Sequence, residues 1–185
     1  MILASLLFLS FLFLLFFFCK FGLREIDKAV YHCFVGSGIP GDGRCLFRSV
    51  VHGACLRSGK PSPSETVEKE LADELRDKVA DEFIKRRKET EWFIEDDFDT
   101  YVGHMRQPHV WGGEPELLMS SHVLKMPITV YMRDKAPGNH KIIAEYGQEY
   151  HGNENPIRVL YHGYGHYDAL QTPVSASESK LFKRR

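Results

Sequence analysis

At Pro127 the chain changes the kind of side chain it uses, and that change limits the folds open to it. Before this point apolar residues recur at helical spacing. Ser62-Pro63-Ser64-Glu65 reads as a helix start, with Ser62 as cap, Pro63 at the first helical position and Glu65 three residues on. Val67, Leu71, Leu75 and Val79 follow at four-residue steps, widened by Ala72, Phe83 and Ile84, which predicts an amphipathic helix through Lys88 with a solvated charged face. Further helices are predicted over 97–105 and 115–124, each stopping short of a proline. After Pro127, segments 128–132, 142–146 and 157–161 are β-branched and aromatic and predict strands. Helices first and strands later predict an α+β fold, an α/β sandwich with the sheet between helices.

Residues 1–18 carry no charged side chain, and Lys20, Arg24 and Lys28 follow. A helix apolar all round must be buried or in lipid. About 18–20 such residues just span a hydrocarbon core of about 30 Å. The start is uncharged and no A-x-A cleavage pattern follows, which speaks against a secretory signal. The favoured reading of 1–23 is therefore a membrane anchor, with the positive-inside rule placing the rest of the chain in the cytosol. A signal peptide stays open, as does a leader from an alternative start, which would leave a soluble cytoplasmic protein. Residues 24–35 form a lead-in with a brief strand near 31–35, and the Ser- and Lys-rich tail 172–185 is expected to be disordered. The hydrophobic fraction of 43% fits one folded, monomeric domain between them. A net charge of −1 argues against nucleic acid as the main partner.

Four glycines and a proline fall in the nine residues 36–44. Directly after them Leu46, Phe47, Val50, Val51 and Ala54 take the spacing of one buried helix face, so Cys45 stands where a glycine-rich loop meets a helix N-terminus. Exposed N–H groups there favour a thiolate and predict a lowered thiol pKa. The same loop can turn N–H groups toward an oxyanion. Cys19, Cys33 and Cys55 lack this setting. No two of the four cysteines have C-x-x-C spacing, so neither a zinc site nor a disulfide framework is expected.

His166 and Asp168 are two apart near the chain's other end, so in an extended segment they share a face. A carboxylate so placed can hold an imidazole in the tautomer that accepts a thiol proton. His52, His104, His109 and His162 show no comparable partner in sequence and default to surface or core roles.

Taken together, Gly41-Asp42-Gly43-Arg44-Cys45-Leu46-Phe47-Arg48, Trp111-Gly112-Gly113 with Glu116-Leu117, and His166-Tyr167-Asp168 resemble the ovarian tumour (OTU) family of cysteine proteases. The likeness spans 36–171, with Arg44 a mild variation where the family often has asparagine. It implies a papain-like OTU fold around a central, mostly antiparallel sheet, with no cofactor and no metal. Cys45 would be the nucleophile and His166 the general base and later acid. Asp168 would orient His166, with Asp42 a rival third member that more readily serves to hold the loop. The N–H groups of Gly43, Arg44 and Cys45 would form the oxyanion hole, and Trp111, Gly112 and Gly113 would be structural near the site.

The substrate this implies is ubiquitin or polyubiquitin conjugates, cleaved at the bond joining the ubiquitin C-terminus to a lysine amine through an acyl-enzyme. The six carboxylates of 89–99 are candidates for reading the basic ubiquitin tail, although a solvated acidic face is the favoured reading. Two other classes remain: a catalytically weak ubiquitin-binding module, and a cysteine hydrolase of another amide or ester.

Overall fold

A computed structural model describes residues 35–135, 139–150 and 155–171. The anchor reading of 1–18, the lead-in up to Phe34 and the tail 172–185 lie outside these residues. Among the described residues no helix is long and apolar enough to cross a membrane.

Strand β1 (Val35–Gly36) is followed by helices α1 (Cys45–Arg57), α2 (Glu65–Lys85), α3 (Arg87–Thr90), α4 (Phe98–Met105) and α5 (Glu114–Leu124). Strands β2 (Ile128–Arg133), β3 (His140–Tyr146), β4 (Ile157–Tyr161) and β5 (Tyr167–Gln171) come after Pro127. The sheet order is β1-β5-β4-β2-β3. All neighbours are antiparallel except β2 and β4, whose parallel register pairs Val130 with Val159. The α+β class and the mostly antiparallel sheet are as expected.

Period-two alternation puts Ile128, Val130, Ile157, Val159 and Tyr167 on one face, and these join Leu46, Phe47, Leu75, Val79, Phe83, Leu117 and Met119 in a single core. Burying a side chain such as Phe47 or Leu46 contributes about 1.5–3 kcal/mol each. The opposite face carries Tyr131, Leu160, Asp168 and Leu170, also buried.

Helix α2 departs from its expected bounds at both ends. Its cap is Ser64, whose hydroxyl accepts the Val67 N–H, because the Ser62 hydroxyl instead lies 3.2 Å from the His52 ring. Its end is Lys85 rather than Lys88, since Arg86 leaves helical geometry and α3 begins beyond it. The stripe also differs in makeup. Val67 and Ile84 are exposed, whereas Arg76 and Glu68 are buried. Helix α4 starts as its sequence predicts, with Asp97 accepting the Thr100 N–H at 2.9 Å.

Four of the six carboxylates of 89–99 are engaged close to home. Glu89 pairs with Arg86, Glu91 and Asp99 pair with Arg87, and Asp97 is the α4 cap. That is the solvated acidic face the sequence favoured.

Candidate active site

Helix α1 begins at Cys45 because its apolar face must reach the core, and the loop before it has to turn sharply to deliver it. Gly43 takes φ +83°, and a Cβ there would come within 2.6 Å of the His109 carbonyl oxygen. Only glycine fits that position. The Gly43 carbonyl accepts a 2.7 Å hydrogen bond from Arg76 Nη2, while Arg76 Nη1 donates to the Met105 carbonyl at 3.0 Å. The Arg76 guanidinium also stacks on Phe47, 4.3 Å from the ring centroid. Arg76 was not legible as a site residue, because a charged side chain on an amphipathic helix reads as solvated.

Asp42 holds the loop from the other side. Its Oδ1 accepts the Arg44 N–H at 3.0 Å and its Oδ2 the Arg48 guanidinium at 3.1 Å. Partial burial opposes its charge, but the Arg44 N–H and the Arg48 guanidinium outweigh this and hold the carboxyl below the usual range. Arg48 continues to Glu68 at 2.7 Å, and Glu68 to His52 Nδ1 at 2.7 Å, which gives His52 a buried partner the sequence did not reveal. Arg44 itself is buried and pairs with Asp73 at 2.6 Å. Its N–H donates to Asp42 and so is not free to meet an oxyanion.

Cys45 is 5% exposed, with Sγ 3.7 Å from the Gly165 carbonyl. The expectation of a lowered thiol pKa is overturned. Burial pushes the thiol up and the Asp42 charge adds to that, while the N–H groups of Tyr167, Leu46 and Cys45 itself only partly offset it. The helix N-terminus acts as predicted but is outweighed by desolvation.

His166 sits in the turn between β4 and β5. Three successive residues there, Gly163, Tyr164 and Gly165, have positive φ, which coils the chain tightly enough to return His166 beside the loop. A Cβ on Gly165 would come within 2.4 Å of the Trp111 ring, so Trp111 packs directly on this turn. Gly112 lets Leu46 approach, its would-be Cβ lying 3.2 Å from Leu46 Cδ1, and the Gly113 N–H donates to Glu116 at 2.6 Å to start α5.

His166 Nδ1 faces Gly41, at 3.8 Å from the position of a Cβ on that residue, and Nε2 lies 3.9 Å from Asp168 Oδ1. The latter is an ion-pair distance longer than a hydrogen bond. Asp168 is held by two other groups: the Ile39 N–H donates to Oδ1 at 2.7 Å, and His162 Nε2 lies 2.8 Å from Oδ2. His162 therefore belongs to the site, contrary to its expected default role. Of the two rival carboxylates, Asp168 is the one beside His166, and Asp42 is engaged by Arg44 and Arg48.

A buried cysteine at a helix start, a histidine on a coiled turn and a carboxylate behind it are the parts of a thiol protease. Residues 40–168 match the family model described as OTU-like cysteine protease. The chain belongs to this family. It is 67% identical over 157 residues to an OVARIAN TUMOR DOMAIN-containing deubiquitinating enzyme 4 of Arabidopsis thaliana, which covers 83% of this chain and 49% of that protein. To the enzyme 3 of the same plant it is 33% identical over 155 residues, covering 72% of this chain and 66% of the relative. The chain thus spans about half to two thirds of the length of these relatives. The fold is similar to that of the OTUD1 OTU domain, with TM-score 0.60 and 23% identity over 80% of this chain and 95% of that one. It is similar also to the Hazara virus OTU bound to ubiquitin, with TM-score 0.56 and 21% identity over 77% of this chain and 84% of that one.

Proposed function

We propose that the chain is a deubiquitinase that hydrolyses the bond between the ubiquitin C-terminus and a lysine amine of a conjugate. The observation that carries this is the convergence of Cys45 and the Gly165-His166 turn, with Sγ 3.7 Å from the Gly165 carbonyl, in a chain 67% identical to a plant protein named as a deubiquitinating enzyme.

The resting thiol is protonated and buried. Attack requires His166 to take the Sγ proton, after which the thiolate adds to the scissile carbonyl carbon. The oxyanion then meets the N–H groups of Gly43 and Cys45. His166 returns the proton to the leaving lysine amine, and the acyl-enzyme remains. Water, deprotonated by His166, releases the ubiquitin carboxylate and regenerates the thiol. Asp168 holds the imidazolium that forms in each half, and the Ile39 N–H and His162 keep that carboxylate in place.

A groove of about 280 Å³ runs past this point, bounded by Gly112, Gly113, Glu114, Tyr146, Gly165 and Tyr167. Its glycine walls suit an extended tail ending in glycine. Glu114 supplies the carboxylate in its wall, and burial together with the Glu114 charge and hydrogen bond pushes the Tyr146 hydroxyl up to about 12. Glu114 is thereby a better-placed reader of the basic tail than the carboxylates of 89–99.

An electrophile carried on the ubiquitin C-terminus tests the assignment. Labelling of the wild type and not of folded Cys45→Ala is expected. A folded wild type left unlabelled would overturn the activity and leave a binding module or a hydrolase of another amide.

Residues 1–18 are proposed to anchor the protein in a membrane with the catalytic domain in the cytosol, on the basis of their uninterrupted apolar sequence and the basic residues that follow. Retention in the membrane pellet after alkaline carbonate extraction is expected, and release to the supernatant would refute it.

A further inference from the structure

His162 takes no direct part in the proton transfers above, yet it completes a cluster with a chemistry of its own. One ligand atom each from His162, His166 and Asp168 lies within 4.8 Å of the others. His162 Nε2 is 2.8 Å from Asp168 Oδ2, and His166 Nε2 is 3.9 Å from Asp168 Oδ1. The two rings stand 5.4 Å apart by centroid and tilt toward one another at 45°. We propose that these three side chains form a binding site for a zinc ion.

Two imidazoles and one carboxylate are a donor set that suits zinc, and bonds of about 2.0–2.2 Å with tetrahedral angles require ligand atoms roughly 3.3 Å apart. His162 Nε2 is already within that distance of Asp168 Oδ2, whereas His166 Nε2 is 3.9 Å from the other oxygen, Oδ1, so the His166 ring must move toward Oδ2 to close the site. The nitrogen-rich set disfavours magnesium and calcium, which want oxygen throughout. The supporting groups are also present. The Ile39 N–H fixes Asp168 Oδ1 at 2.7 Å and leaves Oδ2 for the metal, the usual arrangement behind a ligating carboxylate. Asp168 is only 10% exposed, whereas the two histidine side chains are 26% and 32% exposed, which gives the ion a path in from solvent and a fourth position for water.

Occupation has a definite consequence for His166. With Nε2 on the metal, a neutral imidazole carries its one proton on Nδ1, the nitrogen that faces Gly41 and the nucleophile loop. It then has no lone pair with which to take the Cys45 proton. The site is therefore an off-switch, while its ability to bind zinc stands independently of the deubiquitinase reading.

The test uses full-length Cys45→Ala protein, so that neither the thiol nor turnover enters the measurement. Zinc is titrated in competition with a chromogenic zinc indicator, and histidine ring signals are followed by NMR. One zinc per chain is expected, with the His162 and His166 rings shifting together while His52, His104, His109 and His122 stay in place. Adding His162→Gln, in protein whose circular dichroism is unchanged, is expected to weaken binding at least tenfold. Unchanged affinity in that double variant, movement of the other histidines instead, or no zinc uptake by Cys45→Ala would each overturn the proposal. If the double variant does not fold, the ring shifts in Cys45→Ala alone decide.

Discussion

Arg76 Nη2 donates to the Gly43 carbonyl at 2.7 Å, so a guanidinium in the middle of α2 fixes the loop that delivers Cys45. Arg76 is 1% exposed, and burial pulls its pKa down. Its charge is nevertheless kept by the carbonyls it serves. Arg76→Ala would remove the donor from both Gly43 and Met105 and open a cavity over Phe47, at an expected cost of about 2–4 kcal/mol. Arg76→Lys should recover little, because one ammonium on a flexible stem does not reproduce the planar fork. Urea denaturation of the three proteins checks this, and an Arg76→Ala protein as stable as wild type would show that the contact carries nothing.

Gly43→Ala is expected to reduce turnover far more than it reduces secondary structure. A left-handed φ costs a non-glycine residue about 1–2 kcal/mol, and the new methyl must also displace the His109 backbone. The Gly43 N–H and Cys45 move together when the loop shifts. Circular dichroism should stay near wild type while labelling by the ubiquitin electrophile falls at least tenfold, and normal labelling would refute the loop assignment.

The Asp42 carboxyl titrates below its ordinary value of 3.8 in the folded protein, because Arg44 and Arg48 overcome the effect of burial. A group whose folded pKa is depressed adds stability above its unfolded pKa and loses it as pH falls through the folded value. Asp42→Asn should therefore be less stable than wild type near pH 6, with the gap closing as pH falls through and below 3.8. A gap that is constant with pH would show that the carboxylate charge is not what holds the loop.

Cys45 should be slow to alkylate at neutral pH, since burial and the Asp42 charge keep the thiol protonated. Its iodoacetamide rate is expected to climb through and above the ordinary thiol value of 9.0, with Asp42→Asn faster than wild type. Rapid alkylation at pH 6 would mean that the thiolate already exists at rest.

Asp168→Asn should lower kcat by roughly 10²–10⁴-fold with KM little changed, since the group supports His166 during proton transfer. Asp42→Asn should cost less, and Glu114→Gln should act mainly on KM for ubiquitin substrates. Steady-state hydrolysis of a fluorogenic ubiquitin conjugate separates these. A larger kcat loss in Asp42→Asn would reverse the roles of the two carboxylates.

Much of the scaffold was legible because it rests on periodicity. The strand over 157–161 and the helices ending at Met105 and Leu124 follow from apolar spacing and flanking prolines. Cys45, His166 and Asp168 can be picked out as candidates because loop, helix start and triplet each leave a local pattern, and the fold brings them together. The rest was hidden where a residue's role comes from a partner that sequence does not place. Arg76 and Glu68 look like the wet side of α2 until Phe47 and Arg48 arrive from α1. His162 lies six residues from Asp168 and meets it only because Gly163, Tyr164 and Gly165 coil the chain between them. The thiol pKa was misjudged because helix polarity can be read from sequence and depth of burial cannot.

The placement of β5 between β1 and β4 bears on when the proposed chemistry can begin. Cys45 lies on the first helix of the described domain and His166 just ahead of its last strand. During translation the segment bearing Cys45 leaves the ribosome long before the one bearing His166 exists. Until β5 slots into the middle of its neighbours, the nascent chain holds a thiol with no proton acceptor. On the proposed mechanism the Cys45 proton can leave only once β5 has docked, and a chain truncated before β5 would be silent rather than indiscriminate.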